Sequence, residues 1–174
     1  MKGSIKIMSS EIIFEKVTTS EQIDKLCKVA DEIWHQHFTP IIGAEQVEYM
    51  LEKFQSVKAV TEQINSGYKY FVFKLDGEII GYTGVHQEQE NRLFLSKLYI
   101  RKDYRGNGYA RKALNMLEDI CHERGLDTIW LTVNRFNHNT IKVYDKMGFQ
   151  TIEEKKADIG NGFFMDDYIM AKSV

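Results

Sequence analysis

The sequence contains a single proline, Pro40, and no stretch rich in proline, glycine or serine, so nothing in it marks a linker between domains. Cysteine is equally scarce. Cys27 and Cys121 are far apart, and each falls on the apolar face of a predicted helix, which suits buried free thiols better than a disulfide or a metal site. Such cysteine usage fits a cytoplasmic protein. No excess of one charge is present either: 23 Lys and Arg against 25 Asp and Glu give a formal net charge of -2, without a basic stripe for nucleic acid. No segment is continuously apolar enough to span a bilayer, and Met1 to Ile7 lacks the apolar core of a signal peptide. Internal repeats are missing too.

What is present is enough hydrophobic surface for one core. With 43% hydrophobic and 12% aromatic content over 174 residues, the chain is expected to form a single domain spanning 1–174. Ile12 to Val17 reads as a strand, and Thr18-x-x-Glu21 offers a capping box for the helix that follows. Ile23, Leu26, Cys27, Ala30, Ile33 and Trp34 recur at helical spacing, and this helix is predicted to end before Pro40. Two further helical stripes follow, Val47, Met50, Leu51, Phe54 and then Val57, Val60, Ile64, the second capped by Ser56.

Aromatic and β-branched runs from Tyr68 to Leu75 and from Glu78 to Val85 flank Asp76-Gly77, the two-residue signal of a type I′ hairpin. Arg92 to Ile100 is another strand. Ala110, Ala113, Leu114, Leu117, Ile120 and Cys121 then mark a helix that Gly125 ends. A strand from Thr128 to Val133, a short helix around Thr140 to Met147, and two strands near Phe149 to Asp158 and Gly162 to Met170 complete the chain. One mixed sheet flanked by helices accounts for this order, in the α+β class.

Between the Arg92–Ile100 strand and the helix that follows lies Arg105-Gly106-Asn107-Gly108-Tyr109-Ala110. Backbone N–H groups in the first turn of a helix have no intrahelical acceptor, and the helix dipole is positive there. Glycines let the backbone come close to a phosphate, and Arg101, Arg105 and Arg111 add charge nearby. A diphosphate suits this chemistry; so does a plain chain turn. A Walker A loop is excluded because Tyr109-Ala110 stands where Gly-Lys-Ser/Thr is needed. The dinucleotide fingerprint fails because Lys112 occupies the position of its last glycine.

Arg105-x-x-Gly108-x-Ala110, preceded by Leu98-Tyr99-Ile100, resembles the R/Q-x-x-G-x-G/A signature of the GNAT superfamily of acyl-CoA-dependent N-acetyltransferases. Downstream, Asn137-x-x-Thr140-x-x-x-Tyr144-x-x-x-Gly148-Phe149 is similar to that family's N-x-x-A-x-x-x-Y-x-x-x-G-F element, with Thr140 in the alanine position. The resemblance implies a three-layer fold with a central, mostly antiparallel seven-stranded sheet, and acetyl-CoA as co-substrate with no metal. It implies that the main chain of Leu98, Tyr99 and Ile100 holds pantetheine, and that Arg105, Gly106, Asn107, Gly108, Tyr109 and Ala110 hold the pyrophosphate. In the same way Tyr144 becomes the acid that protonates the departing thiolate, and Asn137 a cofactor contact or, alternatively, a helix cap.

Acyl transfer to an amine also needs a neutral nucleophile. His86, Glu88 and Glu90, and through water Ser96 or Tyr99, are candidates for the base. Trp34, His35, His37, Phe38, Tyr49 and Phe54 could line an acceptor pocket, and Asp158, Asp166 and Asp167 could attract a cationic amine. His35-x-His37 lacks the cysteine or carboxylate cluster that a metal site needs. The aromatic N-terminal helix and the ending Phe164 to Lys172 resemble the spermidine/spermine acetyltransferase branch, which makes a polyamine or other small primary amine the expected acceptor. A peptide or protein amine, and a CoA-binding module without catalysis, are the alternatives; a homodimer is left open.

Overall fold

The computed structural model describes residues 11–174, so the expectation for Met1 to Ile7 lies outside the described residues. In chain order the elements are β1 (Ile13–Lys16), α1 (Ser20–Ile42), α2 (Ala44–Phe54), α3 (Val57–Asn65), β2 (Lys69–Leu75), β3 (Glu78–Glu88), β4 (Arg92–Ile100), α4 (Tyr109–Arg124), β5 (Thr128–Asn134), α5 (His138–Lys146), β6 (Gln150–Gly160) and β7 (Phe163–Ser173). The strands make one seven-stranded sheet in the order β1-β2-β3-β4-β5-β7-β6. Every pairing is antiparallel except β4 with β5.

Local chemistry accounts for most boundaries. At the β2–β3 turn Asp76 and Gly77 have φ of 52° and 82°, the two left-handed residues that a type I′ turn requires. Ser56 caps α3 by accepting from the Ala59 N–H at 3.1 Å. Two expectations shift. The capping box of α1 uses Thr19 and Gln22 rather than Thr18 and Glu21, because Gln22 Oε1 reaches back to the Thr19 N–H while Thr19 Oγ1 accepts from the Gln22 N–H. Helix α1 also runs through Pro40 to Ile42, losing only the bond that an N–H at Pro40 would make to the Gln36 carbonyl, and the Gly43 N–H closes the helix on the Thr39 carbonyl at 3.0 Å.

The sheet separates two helical layers. On one face, Ile23, Leu26, Ala30 and Ile33 of α1 and Val60 of α3 pack on Tyr70, Val72 and Tyr82. Farther along that face, Trp34 and Phe38 join Val47, Met50 and Leu51 of α2 against Phe163 and Met165 of β7. On the other face, Leu114, Leu117 and Cys121 of α4 and Tyr144 and Met147 of α5 cover Leu93, Leu95, Ile129, Leu131 and Met170. Fully burying a side chain of this size is worth about 1.5–3 kcal/mol, so these three clusters supply much of what opposes chain entropy.

The centre of the sheet is not continuous. β4 and β5 pair only at Arg92–Thr128, Leu93–Ile129 and Phe94–Trp130. Immediately beyond, the register of β4 against β3 passes from Val85–Leu95 to Gly84–Lys97, leaving Ser96 as an extra residue. Such a bulge bends its strand and increases local twist. From Leu95 to Ile100 the edge of β4 that faces β5 therefore has no strand partner.

The bulge also buries a lysine. Lys97 is 5% exposed and its Nζ donates to the Phe54 carbonyl at 2.6 Å, Gln63 Oε1 at 3.1 Å and Tyr70 Oη at 2.5 Å. Burial pushes this amine down from 10.5 to about 7. The folded chain then binds fewer protons than the unfolded one between those two values, so this site adds stability as pH rises from about 7 toward 10.5. The wild-type melting temperature is accordingly expected to gain on that of Lys97→Met between neutral and alkaline pH. Parallel melting curves for the two proteins across that range would show that the three acceptors outweigh burial.

Candidate active site

A 3-10 turn at Lys102–Tyr104 follows β4 and brings the chain to Arg105-Gly106-Asn107-Gly108. Gly106 and Gly108 have φ of 78° and 79°, and a Cβ built on either would meet no atom within 4 Å. Both glycines thus adopt a backbone shape that other residues resist and face open space. Asn107 fixes the loop through Nδ2, which donates to the Tyr104 and Arg105 carbonyls at 3.0 and 3.3 Å. The helical ladder of α4 begins with the Lys112 N–H on the Gly108 carbonyl at 3.1 Å. The N–H groups of Tyr109, Ala110 and Arg111 therefore precede the first intrahelical acceptor, at the positive end of a 16-residue helix.

The arginines do not crowd this opening. Arg101 is ion-paired to Glu32 at 3.0 Å, and Arg111 donates to the Lys146 carbonyl at 3.1 Å. Arg105 turns back to the end of β4, with Nε donating to the Ile100 carbonyl at 2.9 Å. An anion here would be held mainly by backbone amides, with the arginine side chains bracing the loop. The Arg105–Ile100 bond also joins the loop directly to the unpaired edge of β4.

That edge carries Leu98, Tyr99 and Ile100. Tyr99 projects toward α1, where its ring meets those of Trp34 and Phe38 at centroid distances of 5.7 and 6.0 Å. Leu98 and Ile100 pack toward α4. On α5, Tyr144 is 7% exposed and lies edge-on to Phe149, with ring centroids 5.3 Å apart. Among the described residues its hydroxyl makes no hydrogen bond. Burial raises the Tyr144 phenol well above its ordinary range, so it keeps its proton at neutral pH.

Asn137 occupies the N-cap position of α5, but its side chain makes no capping hydrogen bond. Its Oδ1 lies 3.2 Å from His37 Nε2, and His37 Nδ1 lies 3.5 Å from Arg105 Nη1. An arginine can only donate, so His37 accepts at Nδ1 and donates from Nε2 to Asn137. Burial and the Arg105 charge both hold His37 below its usual value and favour that neutral form. One histidine on α1 thereby links the glycine loop to the start of α5.

The chain matches the profile of the Acetyltransferase (GNAT) family over residues 28–149. It belongs to the GNAT family. An uncharacterised N-acetyltransferase of Mycobacterium bovis is 24% identical over 152 residues, covering 87% of this chain and 97% of that protein. A [ribosomal protein bS18]-alanine N-acetyltransferase of Haemophilus ducreyi is 32% identical over 128 residues, covering 72% of this chain and 85% of its own. The crystal structure of the PaiA N-acetyltransferase from Thermoplasma acidophilum, in complex with coenzyme A, superposes with a TM-score of 0.78 at 23% identity over 96% of this chain and all of that one. The chain is an acyltransferase with acetyl-CoA as co-substrate, and its fold is the mixed α+β GNAT fold.

Several sequence candidates for the base lie away from the glycine loop and the open edge of β4. His86 stacks on Tyr68 at 4.6 Å, Glu88 accepts from Trp130 Nε1 at 2.6 Å, and Glu90 lies in the β3–β4 turn. All three are near the start of β4, where it still pairs with β5, and the opening lies at the other end. Ser96 is the bulge residue itself. His35 is held by Glu48 and Asp31 on the outer side of α1, and no group of three possible metal ligands occurs among the described residues. Tyr49 donates to the Ile159 carbonyl at 2.6 Å, which makes it a brace between α2 and β6.

Proposed function

We propose that this GNAT protein acetylates a small primary amine, with a polyamine as the leading acceptor. The observation that carries the donor side is the continuity of the open Gly106–Gly108 cradle, the unpaired β4 edge and the buried phenol of Tyr144. In this reading the loop amides from Gly106 to Ala110 bind the pyrophosphate of acetyl-CoA, and Arg105 orients the loop. The main chain of Leu98 to Ile100 pairs with pantetheine as a missing strand would, with one N–H polarising the thioester carbonyl. Asn137 supplies a side-chain amide at the other wall.

The neutral amine attacks the carbonyl carbon, the C–N bond forms, and the C–S bond breaks. Tyr144, which burial keeps protonated, gives its proton to the departing sulfur as negative charge develops there, and the phenolate regains a proton from the newly acylated nitrogen. The aromatic wall of Trp34, Phe38 and Tyr99 suits an alkylammonium acceptor through contact with ring faces and edges. The similarity to a ribosomal-protein alanine N-acetyltransferase supports a second reading, in which the acceptor is the α-amine of a peptide or protein.

An acetyl-CoA-dependent thiol-release screen across polyamines, amino sugars, amino acids and peptides separates the two. Turnover of spermidine with peptides inert is the expected result. Peptide turnover alone would transfer the conclusion to the second reading. Tight acetyl-CoA binding without turnover on any amine would make the protein a CoA-binding module.

A further inference from the structure

Three carboxylates near the C-terminus are candidates for attracting an amine, and the structure separates them. Asp158 is exposed and accepts from the Gly160 N–H at 2.8 Å. Asp166 is ion-paired to Arg135 Nε at 2.8 Å. Asp167 is only 6% exposed, yet among the described residues it has neither a hydrogen bond nor an ion pair. A carboxylate so enclosed, with no partner in the protein, is costly to keep ionised. Its retention calls for a partner that arrives from outside.

Position shows where that partner would stand. Asp167 pairs across the sheet with Asn134, the last residue of β5, at the end where β4 and β5 have parted. Alternation along β7 puts it on the face of Phe163 and Met165, which pack with Trp34, Phe38 and Tyr99. Burial, then Tyr144 and Asp167 nearby, raise the Tyr99 phenol, which places both groups close to it. Tyr144 thus stands on the α5 side of the sheet and Asp167 on the face of β7 that carries Phe163 and Met165, with Tyr99 near both.

We infer that Asp167 is the acceptor-side catalytic carboxylate, which binds the ammonium of a primary alkylamine and removes its proton. The inference rests on the acyl-transfer reading above and extends it to the acceptor. Two protons leave the nitrogen in the full reaction. The first passes from the ammonium to Asp167 and frees the lone pair that attacks the thioester carbon. The second leaves after the C–N bond forms and replaces the proton that Tyr144 gave to sulfur. Asp167 then releases its proton to solvent, and the products are the amide, the CoA thiol and one proton.

Burial and the neighbouring Asp166 raise Asp167 to about 6, while Lys155 opposite on β6 lowers it. Tyr99 faces it from β4, and Arg135, which follows β5, is engaged by Asp166 and Glu154. The group is thus charged and basic above about pH 6, and amine turnover should fall as pH drops through that value.

The test compares wild type, Asp167→Asn and Asp158→Asn with saturating acetyl-CoA, using spermidine and a short peptide with a free N-terminus as acceptors. Asp167→Asn should lower kcat/KM for the accepted amine by about 100-fold and abolish the acidic limb, with CoA affinity unchanged and the melting temperature at neutral pH no lower than wild type. Asp167→Glu should restore part of the rate, and Asp158→Asn should match wild type. Activity of Asp167→Asn within threefold of wild type, or a parallel loss of CoA affinity, would overturn the inference. Should wild type turn over neither acceptor, the acyl-transfer reading fails separately, and Asp167 is then judged by titrating butylamine into the CoA-saturated protein. A shift of the Asp167 carboxyl carbon resonance with butylamine supports an ammonium site there, and no shift refutes it.

Discussion

Tyr144→Phe is expected to reduce kcat for acetyl transfer by about 100-fold or more while leaving CoA affinity within a factor of about two. The substitution removes one oxygen and keeps the ring that packs edge-on against Phe149, so the core around α5 should survive. The phenol hydroxyl has no protein hydrogen bond to lose among the described residues, which makes a large stability effect unexpected. In the proposed mechanism, what disappears is the proton given to the leaving sulfur. Full activity in a folded Tyr144→Phe protein would remove this residue from the mechanism and leave the thiolate to be protonated by solvent.

Gly108→Val should weaken CoA binding by about 100-fold or more, since hydrogen bonds to a charged partner contribute about 1.5–3 kcal/mol each and several amides share the loop. Two costs combine at this position. A β-branched side chain resists the φ of 79°, and its methyls would project into the open space where the pyrophosphate is to lie. Gly125→Val is the control, because Gly125 closes the same helix α4 at φ 68° and also has nothing within 4 Å of a built Cβ. Both variants should lose stability by about 1–2 kcal/mol from left-handed strain, and only Gly108→Val should lose CoA. Isothermal titration with CoA on the two folded proteins decides it; equal affinities would place the pyrophosphate elsewhere.

Features encoded by a few neighbouring residues were legible from the sequence. Asp76-Gly77 specifies its turn because two left-handed positions in succession leave few other choices, and Gly125 ends α4 for the same steric reason. The glycine loop was legible as a glycine turn before a helix start, and the family through its likeness to that turn and to the Asn137–Phe149 segment. Where two residues compete locally, sequence was ambiguous: Thr18 and Thr19 both precede α1, and only the reach of Gln22 decides between them.

Tertiary partners were harder to read. Asp166 and Asp167 are adjacent and chemically identical, yet strand alternation sends one to Arg135 and buries the other on the opposite face of β7. Arg135 follows β5, so no local pattern around the aspartates records the difference. His86, Glu88 and Glu90 follow the hairpin strand closely in sequence but lie at the wrong end of β4, because the sheet opens only beyond Phe94. That opening depends on the Ser96 bulge, and a one-residue register shift leaves no signature in hydrophobic periodicity.

The histidine that joins Arg105 to Asn137 gives α1 a consequence beyond packing. The same helix carries Trp34 and Phe38, in the aromatic wall proposed for the acceptor, and His37, beside the loop proposed for the donor. A displacement of α1 that admits an amine would therefore strain or relax the seat of the acetyl donor, and linkage requires the converse to hold with equal free energy. Donor and acceptor affinities are then not independent constants, and the measured KM for one substrate should depend on the concentration of the other.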